Sequence, residues 1–154
     1  MHTPLSLAAL YLFAGSALAM EIPIDQCPAP VQATVRNHSR DGKLDEIESF
    51  AIEGKTLYVA EIDLPGKRDL KIHIASDGTL LKIREDIAMA DIPQPVRATA
   101  EAKLAGGTVD DVEMETANGK VTYHVEIERK GAPDIDLVIA PDGKLLSETE
   151  DPDD

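Results

Sequence analysis

Four histidines, one cysteine and a surplus of carboxylates are the groups in this chain that could do chemistry. His73 and His124 are the pair to consider for metal binding, since neutral imidazole is a common ligand. No cysteine or third histidine stands at ligand spacing from either, so a zinc site is not expected and both are read as surface residues. Aspartate and glutamate together number 29, and such abundance makes any nominated acid–base pair worthless as an indication of catalysis. There is no serine–histidine–aspartate context, no glycine-rich phosphate loop and no usable cysteine nucleophile. The sequence therefore points away from an enzyme, and no cofactor or metal is expected. The acidic end, Glu148 to Asp154, could collect calcium loosely, but it lacks the Asp-x-Asp-x-Asp-Gly loop that organises such a site and reads as a frayed tail.

Binding is the better use of these residues. Tyr58, Ala60 and Ile62 alternate along one run, as do Leu70, Ile72 and Ile74 along the next; Tyr123, Val125 and Ile127, then Ile135, Leu137 and Ile139, repeat the pattern. Period-two alternation indicates strands with one buried face. The opposite register carries the candidate binding residues: Leu57, Val59, Glu61, Lys71 and His73, and further on Thr122, His124, Glu126, Asp136 and Val138. If helices cover only the core face, Leu57, Val59 and Val138 form an exposed apolar group ringed by charge, as interaction surfaces often do. The plain alternative is a solvated sheet face with cross-strand charge pairs.

The elements that position these residues recur at a fixed step. Pro30-Val31 falls on Pro95-Val96, Gly54-Lys55 on Gly119-Lys120, Tyr58 on Tyr123, Asp77-Gly78 on Asp142-Gly143 and Leu80-Leu81 on Leu145-Leu146, each 65 positions on. A repeat of this kind constrains architecture more strongly than local propensity does. Pro30 to Ser39 and Pro95 to Leu104 have helical spacing of apolar residues behind a proline that a helix start tolerates. Helices this short need packing against something larger. Glu53-Gly54 or Asn118-Gly119, then Gly66 or Gly131, then the Asp-Gly pairs mark chain reversals between strand-length runs. The first strand centres on Ile47 or Val112 and the fourth on Leu80-Leu81 or Leu145-Leu146. His73 and His124 are not equivalent, because His73 aligns with Val138 and His124 with Val59; the copies differ most on the outward register.

Met1 to Ala19 is set aside as a secretory signal peptide. Leu5 to Ala14 is apolar and uncharged, and Ala17-Leu18-Ala19 offers a small-x-small cleavage pattern. The run is far short of the roughly 20 residues that span a bilayer, so no stable membrane insertion is expected after cleavage near Ala19. Cys27 is the single cysteine and permits no intrachain disulfide. A net charge of −14 disfavours nucleic acid and anionic membranes. It favours a basic partner or a cation. Aromatic residues are only 3% and tryptophan is absent, which argues against a large aromatic ligand cavity.

Taken together, Val112-Glu113, Asn118-Gly119-Lys120, Tyr123 to Ile127 and Ala140 to Leu146, behind a Pro-Val helix start, resemble the PepSY-like domain family, relatives of the beta-lactamase inhibitor proteins. The first copy departs from that pattern at Glu53 and Ser76. The resemblance implies an α+β fold with helices on one sheet face, a secreted or periplasmic location, and a binding or inhibitory role toward a peptidase or other envelope protein. The inhibitors' disulfides cannot form in a chain with one cysteine. The expected fold is two tandem repeats, each a short helix followed by a four-stranded antiparallel meander, with the two units sharing a sheet or a core ahead of the alternative of two independent units. The expected organisation is 1–19 signal peptide, 20–29 linker, 30–86 first repeat, 87–94 connector, 95–151 second repeat and 152–154 the end of an acidic tail. The expected function is a non-enzymatic module that binds a protein or peptide; the alternative is an acidic cation-binding envelope protein without a specific protein partner.

Overall fold

The computed structural model describes residues 18–151; nearly all of the expected signal peptide, and residues 152–154 at the end of the acidic tail, lie outside them. The chain forms β1 (Met20–Glu21), a 3-10 turn (Ile24–Gln26), α1 (Ala29–His38), β2 (Lys43–Ile52), β3 (Lys55–Leu64), β4 (Arg68–Ala75) and β5 (Leu80–Asp86). It continues with α2 (Gln94–Ala102), β6 (Thr108–Ala117), β7 (Lys120–Glu128), β8 (Asp134–Ile139) and β9 (Leu145–Asp151). All nine strands lie in one antiparallel sheet, in the order β1 to β9.

This corrects the expected fold class. The chain is not two repeats of a helix and a four-strand meander; it is a single nine-stranded sheet carrying two short helices. The reason is the pairing of β5 with β6, from Lys82 opposite Ala117 to Asp86 opposite Glu113. An unpaired edge would leave a row of backbone donors and acceptors open, and this pairing closes it. Residues 20–29, expected as a linker, join the fold as well: Met20 pairs with Ser49 and Glu21 with Glu48. Cys27 is buried there at 5% exposure, its thiol directed to the Pro23 carbonyl at 3.7 Å. Burial pushes that thiol up. Glu148 to Asp151, expected in a frayed tail, instead form most of the edge strand β9, with Leu137 opposite Glu148 and Ile135 opposite Glu150.

Strand alternation divides the sheet cleanly. Leu70, Glu85, Met114 and Tyr123 stand opposite one another across β4 to β7 on the face that α1 and α2 cover. Two apolar clusters build up there. Val31 and Val35 of α1 pack with Ala60, Ile62, Leu70, Ile72 and Ile74. Val96 and Ala100 of α2 pack with Val125, Ile127, Leu137 and Ile139. Glu85 is the exception, a carboxylate at 8% exposure on the helix face, matched by Arg40 at 2.8 Å and Arg68 at 3.4 Å.

The turns follow from their residues. Glu53-Gly54 and Asn118-Gly119 both have positive φ at their two central positions, 50° and 76°, then 51° and 71°, as a two-residue hairpin of matching twist requires. Gly78 and Gly143 carry a second constraint. With φ of +88° and +89°, each also lies under the first turn of a helix, where an added Cβ would sit 2.6 Å from Pro30 or Pro95. The helix is tied down at the same place: Thr34 donates to the Gly78 carbonyl, and Thr99 to the Gly143 carbonyl at 2.6 Å.

Substitution separates these two constraints. Gly66 has φ of +86° and open space around it, so Gly66→Ala should cost about 1–2 kcal/mol from backbone conformation alone. Gly78→Ala adds overlap with Pro30 and should cost about 2–4 kcal/mol in urea unfolding. Equal losses would show that the helix contact is unimportant.

Candidate functional site

The sheet face turned away from α1 and α2 holds every residue proposed for binding, but it does not gather them into one patch. Register sorts them into rows. One row runs Glu46, Glu61, Lys71, Arg84, Glu115 and Thr122 across β2 to β7. A second runs Glu48, Val59, His73, Lys82 and Ala117, with Leu57 beside it opposite Phe50 and Ala75. Toward the other end, Asp86, Glu113, His124, Val138 and Ser147 form a third row, and Asp111, Glu126, Asp136 and Thr149 a fourth.

The expected exposed apolar group is therefore corrected. Leu57, Val59 and Val138 are half-buried, and β3 lies five strand steps from β8, a separation of about 24 Å at ordinary strand spacing. The face is not capped by helices, which pack on the opposite side of the sheet. His73 on β4 and His124 on β7 are three steps apart, roughly 14 Å, which rules out a shared metal ion.

What occupies the middle is a charge network centred on Arg84. Its Nε donates to Glu115 at 2.7 Å and its Nη1 to Glu113 at 3.1 Å, while Nη2 lies 3.4 Å from His124 Nδ1. Lys82 Nζ also reaches Glu115, at 3.4 Å. Glu115 is half-buried, which acts to raise its carboxyl, but the Arg84 hydrogen bond and the Lys82 and Arg84 charges outweigh this and hold it below its usual range. His124 Nε2 is buried without a hydrogen bond, 3.5 Å from Glu115. Burial, then the Arg84 charge, lowers His124, so it is neutral at physiological pH. His73 is lowered to about 4 by burial and by the Lys82, Arg84 and Lys71 charges, with Glu115 acting in the opposite sense. Both histidines are half-buried beside cations, and His124 also lies against Glu115.

The sequence reading missed Lys82, Arg84, Glu113 and Glu115. The signal was available in Lys82-Ile83-Arg84 and Glu113-Met114-Glu115, two alternating charged triplets of opposite sign. Their partnership depends on β5 meeting β6, which neither triplet specifies.

Beyond Arg84 the face turns acidic. Asp86, Asp111 and Glu113 bring carboxylate oxygens within 4.8 Å of one another. Burial and the neighbouring carboxylates raise Asp111, and burial raises Glu113 against the pull of Arg84. A hollow of about 330 Å³ opens over this region, lined by Arg84, Asp111, Glu113, Glu126, Asp136 and Val138 among others. The Asp86, Asp111 and Glu113 group is the set of described residues that could hold a cation.

No family model matches the chain, and no curated protein does. Solved structures do resemble it. A DUF2874 family protein from Bacteroides uniformis superposes with a TM-score of 0.66 at 20% identity, over 80% of this chain and 89% of that one. A protein from Bacteroides eggerthii named as a candidate periplasmic protein gives 0.68 at 15% identity, over 80% and 88%. A BLIP-like protein from Bacteroides fragilis gives 0.63 at 17% identity, over 84% and 87%. The chain thus shares the fold of these DUF2874 and BLIP-like proteins. No helix of the described residues is long and apolar enough to cross a membrane.

The His73 environment sets a pH dependence. Its folded pKa, about 4, lies below the unfolded value of about 6.5. Its contribution is complete above the unfolded value and is lost as pH falls from there toward 4. Glu61, Asp111, Glu113 and Glu126 are all raised and act in the opposite sense, so the comparison must be differential. The stability of His73→Gln relative to the parent should increase steadily between pH 6.5 and 4 in thermal unfolding. A constant difference would show that His73 ionises freely.

Proposed function

We propose that this protein is a periplasmic, non-enzymatic binding module that engages a protein or peptide through the sheet face opposite α1 and α2. The observation that carries this reading is that both helices pack on one side, leaving the other face of a nine-stranded sheet uncovered, with Val59, His73, Arg84, His124 and Val138 half-buried on it and Asp111 and Asp136 exposed. A rigid, broad, partly desolvated surface is favourable for docking because its side chains lose little further freedom on binding. The secretory signal in Met1 to Ala19 supports the location, as does the shared fold with a candidate periplasmic protein. Kinship with PepSY-like domains rests on the turn and core motifs, and the shared fold with a BLIP-like protein supports inhibition of a peptidase or other envelope protein as the finer form of the reading.

Cross-linking and capture from an envelope extract test it. A partner held by the parent protein should be lost when Val59 and Val138 are both changed to Asp, and also by Thr122→Arg, which blocks the face between them while keeping the apolar residues. Circular dichroism checks that each variant is folded. Undiminished capture by both folded variants would refute the surface assignment. The second reading, cation binding, has the convergence of Asp86, Asp111 and Glu113 in its favour; titration calorimetry with calcium would support it only by a saturable stoichiometric site that Asp111→Asn removes.

A further inference from the structure

The two ends of the open face are built on the same frame but carry opposite provision of charge. In the first half, the row Glu46, Glu61, Lys71 and Arg84 sets two cations beside two carboxylates. Lys71 lies 4.0 Å from Glu61. Sixty-five positions on, the corresponding row is Asp111, Glu126, Asp136 and Thr149. The acids remain and both cations are gone: Asp136 stands for Lys71 and Thr149 for Arg84, while Ser147 stands for Lys82 in the neighbouring row.

Like charges placed directly opposite on adjacent strands cost stability, and here three stand in line across β6, β7 and β8. The nearest cations are engaged elsewhere. Arg84 is held by Glu113 and Glu115, Lys71 faces Glu61, and Arg129 at the end of β7 donates to the Pro133 carbonyl and to Glu150. Burial, then Asp136, Asp110, Asp111 and Asp134, push the Glu126 carboxyl up. The line borders the hollow beside Val138, on the uncovered face and away from the helices. Its surroundings therefore combine an uncovered sheet, a concavity and three carboxylates facing one another on adjacent strands.

We propose that the β6–β8 end of the open face docks an extended protein segment bearing two or more lysine or arginine side chains, which neutralise Asp111, Glu126 and Asp136. This rests on the sheet-face reading above and gives the partner its chemistry. In an extended segment alternate side chains lie about 6.6–6.8 Å apart on one side, a spacing that lets two cations meet carboxylates on neighbouring strands. Val138 would contact the apolar stems of the same side chains.

Fluorescence anisotropy with a labelled peptide of alternating lysine and serine, against its glutamine counterpart, tests this. The lysine peptide should bind and the glutamine peptide should not. Asp136→Lys, which restores the residue type of the first half, removes one attraction and adds one repulsion and should weaken binding about tenfold, or about 1.4 kcal/mol. Glu101→Lys makes the same change from acid to lysine on α2, on the covered side, and should weaken it by less than about twofold, being beyond the screening length. Equal weakening by both variants would show attraction to net charge alone and would overturn the proposal. So would stoichiometric calcium binding at Asp111 with no peptide bound. If instead envelope capture still fails with Thr122→Arg but is indifferent to Asp136→Lys, the open face remains the binding surface and only the basic partner is refuted.

Discussion

The pairing of β5 with β6 is the interaction on which the rest of this structure depends. The two apolar clusters form separately, one under each helix, so the core does not join the halves of the sheet. The seam does. Its backbone pairing is reinforced on the open face by Arg84, which spans Glu113 and Glu115 with side chains 30% and 17% exposed. Charges held at that depth are costly to leave without partners. Removing Arg84 would strand two carboxylates and leave Lys82 alone to meet Glu115. The seam is thus specified twice, by hydrogen bonds that any strands could make and by a charge pattern that only these two match.

From that seam follows a division between the faces. The helix side is apolar and closed, with Glu85 admitted only because Arg40 and Arg68 reach it. The open side carries rows of charged and polar side chains, among which Val59 and Val138 are half-buried. Opposite charges balance at the centre and acids accumulate toward β8. The row that sets two cations beside two carboxylates in the first half carries three acids and no cation at the positions 65 residues on.

Several features are legible in the amino-acid sequence, and their physical reasons are local. Ile62, Leu70, Ile72, Val125, Leu137 and Ile139 declare their burial through period-two alternation, and each is buried. Asn118-Gly119 declares a hairpin because few residue pairs accept two successive positive φ angles. Other features are hidden because their cause lies far along the chain. Gly78 reads as an ordinary turn glycine, yet its lack of a Cβ also seats Pro30. Met20 and Glu21 are two residues in an apparent linker, and only the β2 edge makes them a strand. Glu148 to Asp151 look like the start of a charged tail, and β8 recruits them. Leu57, Val59 and Val138 share a register without sharing a patch, since register says which face a residue takes and not how many strands intervene.

The sequence by itself therefore determined the helices, most of the strands, the turns and the sidedness of the sheet, because periodicity and turn chemistry act within a few residues. Only the tertiary structure decided that β5 meets β6, that nine strands make one sheet, and that Arg84 rather than either histidine sits at the centre of the open face. Those outcomes depend on edges finding partners and charges finding counter-charges between segments about 30 residues apart in the chain, as Arg84 and Glu113 are, and such matching is a property of the folded sheet as a whole.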